Sequence, residues 1–319
     1  MLRKVLLAVL TFMLSQPLFA QEKINLAIGT GGTGGVYYPL GGGMANLLSK
    51  FVPGMQATAE VTGGSVDNLR LIASGKPYIG FTMADAGQDA YQGEDKFKGN
   101  KVPLKTLLVL YPNRMHVATV EGAGVIRFAD LKGKRVSTGS PGSATEVMAF
   151  RVIEAMGLDR DRDMRRERLG VAESVAALKD KKIEALFWVG GLPTGAVSDL
   201  ANTPNTKIKM VDHSDAVASM NKKYGQLYVE DAIPKETYRG MDSDNKIATV
   251  WNILVAHEKL SDQAAYNIVK TIFDKRSDLI AVHKEAENFR IDFQKNAATP
   301  IPFHSGAVRY ITERGGKLN

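Results

Sequence analysis

The chain has 319 residues, with 41 Lys and Arg against 34 Asp and Glu, a formal net charge of +7 and no cysteine. That length suggests two compact units of roughly 100 to 150 residues, each able to bury a core. The missing thiols exclude a disulfide scaffold and a lipid-modified cysteine, and the basic residues lie scattered, without the interleaved aromatics that nucleic-acid stacking requires.

Arg3 and Lys4 precede an apolar run over residues 5–14, and Ser15, Gln16, Pro17 and the small Ala20 follow it. This is the pattern of a secretory leader, expected over residues 1–20, although Leu18 is larger than the third position before a cut prefers. A membrane span needs roughly 18 or more apolar residues, so the expectation is a free protein exported to a bacterial periplasm.

Residues 24–28 read as a buried strand and Pro39, Leu40, Met44, Leu47, Leu48 and Phe51 as the apolar face of a helix. Between them lies a glycine-dense loop, GTGGTGGVYYPLGGG at residues 29–43, where backbone must be approached closely or must turn through positive φ. Such a loop points N–H groups and the positive end of a helix dipole beyond the sheet edge, as one wall of a ligand site. Gly29, Gly31 and Gly34 also satisfy the dinucleotide pattern GxGxxG, but the acidic residue wanted about 20 positions later is only approximated by Glu60. A turn that merely packs helix on sheet is the remaining reading. A periplasm holds no pool of NAD or ATP, which argues against the dinucleotide.

Pro53-Gly54 ends the helix and residues 56–62 alternate as a strand. TGGSVDN at 62–68 is a second glycine turn into a helix closed by Gly75 and Pro77, with Ser65 as an N-cap candidate and Asn68 able to point back over the helix start. A third strand, 78–83, ends in the polar cluster 85–88. Polar groups at three successive strand-to-helix junctions line one sheet edge, where open α/β sheets bind ligands.

Strands over 104–110 and 115–120 flank Tyr111-Pro112-Asn113-Arg114, and the chain is expected to cross into a second lobe near residues 112–120. There STGSPGSATE, at 137–146, opens a helix of Val147, Phe150, Val152, Ile153 and Met156. Either Ser140 is its N-cap with Pro141 following, or Ser143 is the N-cap with Glu146 completing a capping box. The hydroxyls exceed what caps require, and such a helix start suits an anion. The mixed charge run at 159–168 reads as solvated loop. A strand over 183–189 ends in a fourth glycine junction, with Trp188 as core or as ligand wall, and residues 245–257 read as a return strand.

The segments GTGGTGGVYYPLGG, TGGSVDN, ADLKGKRVSTGSPGSAT and FWVGGLPT, in this order, resemble the TAXI family of TRAP-transporter solute receptors over essentially the whole mature chain. The resemblance implies an α/β chain with the type II periplasmic binding protein fold, two lobes joined by hinge strands around a central ligand cleft. Residues 21–114 and 250–319 would form lobe 1 and residues 115–249 lobe 2. It implies a monomer delivering a small carboxylate (a dicarboxylate, keto acid or acidic amino acid such as glutamate) to a TRAP membrane permease for ion-gradient-driven uptake. Carried over residue by residue, the ligand contacts would be Thr33, Tyr38, Ser65, Asn68, Ser140, Gly142, Ser143, Ala144, Thr145 and Gly190. No cofactor and no metal are expected. An acidic residue is common in that family after the Tyr-Pro pair; here Asn113-Arg114 stands instead, which points to a ligand without an ammonium group.

Enzyme chemistry finds no support in the residues. The five histidines include no HExxH pair, and Gly142-Ser143-Ala144 breaks the GxSxG elbow. Receptors serving an ATP-driven transporter or a sensor remain the alternative to a TRAP receptor, with a nucleotide enzyme built on Gly29–Gly34 behind them.

Overall fold

The computed structural model describes residues 23–76 and 78–319, so the expected leader lies outside the described residues. The first half of the fold alternates strand and helix: β1 (Ile24–Gly29), α1 (Tyr37–Phe51), β2 (Met55–Glu60), α2 (Ser65–Ala73), β3 (Tyr78–Met83) and α3 (Ala84–Gln92). The chain then runs through β4 (Leu104–Val120), β5 (Arg135–Ser137), α4 (Ala144–Ala155), β6 (Arg165–Glu167), α5 (Val171–Lys179), β7 (Ala185–Gly190) and α6 (Gly195–Asn202). It continues as β8 (Ile208–Met210), α7 (Ala216–Tyr224), β9 (Tyr228–Ile233) and β10 (Asn245–His257), and closes with α8 (Asp262–Asp274), α9 (Arg276–Val282) and α10 (Ser305–Glu313).

The strands form one curled sheet in the order β2-β1-β3-β10-β4-β7-β5-β6, with β8 against β4 and β9 against β10. At one end β1 pairs in parallel with β2 and β3, and at the other β5 pairs in parallel with β6 and β7. Each end carries its own helices, giving two α/β lobes. β4 and β10 run antiparallel between them. β4 pairs with β10 up to Arg114↔Thr249 and with β7 from Arg114↔Gly190 onward, so it exchanges partners at one residue.

β4 differs from expectation, since Pro112 does not separate two strands. A proline cannot donate to a ladder and is tolerated where pairing is irregular. Here it pairs with Trp251 beside the register shift between Trp251 and Ile253. Two short strands were not anticipated. β6 lies inside the charge run, as an edge strand whose residues are exposed or half-buried, and β9 flanks β10.

The larger core cluster joins Leu26, Ile28, Leu40, Phe81, Leu108, Val147, Val152 and Phe187, spanning the first lobe and one face of the second. The other packs Val171, Leu186, Val197, Leu200 and Ile247 on the opposite face of the second lobe. Among the described residues no helix is long and apolar enough to cross a membrane.

Candidate functional site

Four loops meet over the middle of the sheet. A cavity of about 270 Å3 lies between the lobes, lined by Gly31, Gly32, Tyr37, Thr62, Gly63, Gly64, Ser65 and Met83 from the first, and by Ser140, Ser143, Ala144, Thr145, Gly170, Val171, Glu173, Trp188 and Val189 from the second. Its size suits a small molecule, at the lower end of ligand pockets. Of the residues named from sequence, Ser65, Ser140, Ser143, Ala144 and Thr145 come together on its wall. Thr33, Tyr38, Asn68, Gly142 and Gly190 do not line it.

The displaced residues have identifiable local roles. Adjacent helix residues point about 100° apart, so in α1 the first tyrosine turns inward and the second outward. Tyr37 lines the cavity, stacks on Phe81 with ring centroids 5.0 Å apart, and donates its hydroxyl to Asn252 Oδ1. Tyr38 is 39% exposed, and Thr33 is exposed as well. Asn68 is buried and pins three loops together: its Nδ2 donates to the carbonyls of Thr30 (2.7 Å) and Phe81 (2.8 Å), and its Oδ1 accepts from Thr62 Oγ1 (2.7 Å). Gly190 is held between the Trp188 ring and Thr194 Oγ1, which accepts the Trp188 indole N–H at 2.9 Å. Trp188 itself both lines the cavity and packs against the second core cluster.

The hydroxyls of the second-lobe loop are largely engaged. Ser143 is the N-cap of α4, accepting from Glu146 N at 3.2 Å and donating to Ser140 O at 2.7 Å. Glu146 does not complete a capping box. Its buried carboxylate takes a forked pair from Arg168 (2.6 and 3.1 Å), so one arginine of the charge run is held at its head while its side chain stays half exposed. Ser140 Oγ donates across to Gly63 O at 3.2 Å, and Thr145 Oγ1 accepts from Val189 N at 3.3 Å. Ser65 does not cap α2, whose N-cap is Gly64; its Oγ accepts from Met83 N at 3.2 Å. What remains for a ligand are the first N–H groups of α4, at Ala144 and Thr145, which have no acceptor within the helix and carry the positive end of its dipole.

The lobes touch around the cavity. Asp67 N donates to Gly142 O at 3.1 Å. Gly142 has φ +78°, and a Cβ there would stand 2.4 Å from the Asp67 carboxylate. A Cβ on Gly35 would meet the Trp188 ring at 2.9 Å. The glycines beyond β1 thus let the second lobe approach.

Behind Tyr37 the packing is polar. Asn113 Nδ2 donates to Asn252 Oδ1 at 3.1 Å, while Asn113 Oδ1, Asn252 Nδ2 and the Tyr111 hydroxyl are buried without protein partners. Farther along, Arg114 bonds Asp231 at 2.8 Å, and Glu285 accepts from Leu192 N at 2.6 Å, tying the loop after β7 to the C-terminal segment. The cavity lining holds no lysine, arginine or histidine and a single carboxylate, Glu173 in the first turn of α5. Sequence reasoning passed over Glu173 because an acid in the first turn of a helix is ordinary dipole complementarity. No group of three or more metal-ligating side chains occurs among the described residues.

MatC from Rhodopseudomonas palustris, solved with bound malate, is similar at 12% identity and a TM-score of 0.55, over 84% of this chain and 90% of that one. The periplasmic binding protein BugD is similar at 12% identity and a TM-score of 0.53, over 85% and 86%. A further structure, described as a periplasmic transporter, gives 12% identity and 0.52 over 92% and 93%. These likenesses establish the two-lobed α/β fold of periplasmic binding proteins. The NMT1-like family pattern matches residues 28–315, nearly all of the described chain, and the protein belongs to the NMT1-like family.

Proposed function

We propose that this protein is an extracytoplasmic solute receptor of the TAXI type, which closes its lobes on a small carboxylate and hands it to a TRAP permease. The observation that carries the reading is the cavity itself: about 270 Å3 between two lobes, with the N-terminus of α4 opening onto it. A helix start offers an anion unpaired N–H groups without requiring a cationic side chain. Export to the periplasm as a free monomer belongs to the same reading. The exchange of β4 from β10 to β7 at Arg114, opposite Thr249, supports lobe boundaries at 114/115 and 249/250. Ser65, Ser140, Ser143, Ala144 and Thr145 are the ligand contacts that the cavity favours, joined by Tyr37 and Trp188.

Two ligand classes compete. Asn113 in place of an acid favours a dicarboxylate or keto acid, and MatC was solved with malate. Glu173 on the cavity wall favours an acidic amino acid, whose ammonium it would meet. Calorimetric titration with L-malate, 2-oxoglutarate and L-glutamate decides between them. Glutamate binding that weakens in Glu173→Gln selects the amino acid, and failure of all three at millimolar concentration overturns the carboxylate reading. A neighbouring gene for a permease of many membrane spans would favour the TRAP partner over an ATP-driven one.

A further inference from the structure

One helix from each lobe starts at the cavity, and about two turns along α4 the two are joined by buried charge. Asp85 and Asp89, one turn apart on α3, face Arg151 of α4. Arg151 Nη2 bonds Asp89 Oδ2 at 2.5 Å and its Nη1 lies 3.5 Å from Asp85 Oδ2. Tyr228, on β9, accepts from Arg151 Nη1 at 2.8 Å and donates to Asp85 Oδ2 at 2.9 Å. Asp85 is 0%, Arg151 5%, Asp89 6% and Tyr228 2% exposed, so water screens none of these charges.

We propose that Asp85, Asp89 and Arg151 form a proton-linked clasp between the lobes: closing the cleft takes up a proton onto the Asp85–Asp89 pair, so the closed state is favoured as the medium acidifies. This rests on the reading of the protein as a two-lobed receptor that opens and closes. Two carboxylates facing one guanidinium leave a negative charge uncompensated in a dry site, and one proton removes it.

The surrounding groups do not supply a second cation. Asp95, beyond α3, adds repulsion at Asp89, and the Tyr37 phenol faces Asp85. The Tyr224 ring packs 4.4 Å from the Arg151 guanidinium, and Gln88 Nε2 donates to Tyr224 O at 3.0 Å. The nearby lysines are turned elsewhere: Lys96 lies 3.8 Å from Glu146, and Lys223 bonds Glu154. Burial, outweighing Arg151, pushes the Asp89 carboxyl up to about 7 and raises Asp85 as well.

The sign follows. With the lobes parted and the carboxylates hydrated, an aspartate titrates near its ordinary value of about 4. Between about pH 4 and pH 7 the closed form therefore holds more protons. Closure gains as pH falls through that window and loses as pH rises towards about 7, where the Asp89 carboxyl gives up its proton in the closed form.

Because the chain lacks cysteine, Ala73→Cys on α2 and Asn202→Cys on α6, both exposed, place two spin labels on opposite lobes. Interlabel distances in the ligand-free protein, measured from pH 4.5 to 8.5, report the closed-to-open ratio. The expected result is a ratio rising by up to about tenfold per pH unit below neutrality, the slope for one proton. Asp89→Asn, neutral at every pH, should flatten the profile and favour closure at pH 8. Asp85→Asn serves as the second variant should Asp89→Asn not fold. A flat wild-type profile overturns the proposal, and so does a folded Asn variant whose profile superimposes on it. No ligand enters this experiment, so its outcome is independent of the carboxylate titrations.

Discussion

Two of the contacts between the lobes are made of different materials. At the rim of the cavity, the loops around Gly63 and Gly142 join through uncharged hydrogen bonds, by Asp67 N to Gly142 O at 3.1 Å and Ser140 Oγ to Gly63 O at 3.2 Å. Two turns along α4, α3 and α4 join through charge. The rim depends on close approach at glycine and on hydrogen bonds between uncharged groups. The charged contact tolerates shape but depends on proton and counter-ion. Each can therefore be broken by a substitution that leaves the other untouched.

Breaking the charged contact should have the largest effect. Arg151→Met leaves Asp85 and Asp89 facing each other without a cation, which should cost about 3–5 kcal/mol of unfolding free energy at pH 7.5. Urea titration at pH 7.5 and pH 5 checks it. The loss should be smaller at pH 5, where the Asp pair holds a proton, and an equal loss at both would show that charge is not what the arginine balances.

Two buried histidines should meanwhile make acid weaken the fold, against the gain from the Asp85–Asp89 pair. Burial lowers His116 and His213 to about 4, so the folded state keeps both neutral while the unfolded chain protonates near pH 6.5. Their contribution is complete above about pH 6.5 and lost as pH falls towards about 4, by roughly 3 kcal/mol for each. The slope of urea stability between pH 7 and pH 4.5 should decrease in His213→Asn. This opposes the expected effect of acid on closure, so lobe distances and unfolding must be measured separately.

At the rim, Gly142→Ala should cost about 1–3 kcal/mol, because alanine is strained at φ +78° and its methyl would strike the Asp67 carboxylate. The loss should be the same at pH 5 and pH 7.5, in contrast with Arg151→Met. The smallest effect is Ser143→Ala. Loss of the α4 cap should lower free-protein stability by about 0.5–2 kcal/mol. The added stability from a bound carboxylate should persist if Ser143 only caps, and shrink if it also holds the anion. Thermal unfolding with and without ligand separates the two.

These contrasts also explain what the sequence disclosed. β10 was legible end to end, because an apolar run bounded by polar residues on a return path has few alternatives. The α4 junction was legible because Ser143 and Glu146 have cap spacing, although the Glu146 carboxylate went to Arg168, outside the local pattern. Tyr38 was preferred to Tyr37 because adjacent tyrosines look alike until the helix phase is known. Asp85 and Asp89 have helical spacing, but their significance lies with Arg151, far along the chain and in the other lobe. Pairings of that kind come from topology, which local periodicity does not encode.

Pro112 gives the sheet a seam. It brings no N–H to the ladder, its partner Trp251 adjoins a register shift, and two residues later β4 changes neighbours. A beam thinned at one cross-section bends there, so the lobe closure proposed above would concentrate its curvature at these residues. On that proposal the compliance would reside in a cyclic side chain that does not line the cavity, and cargo of any chemistry would work against the same spring.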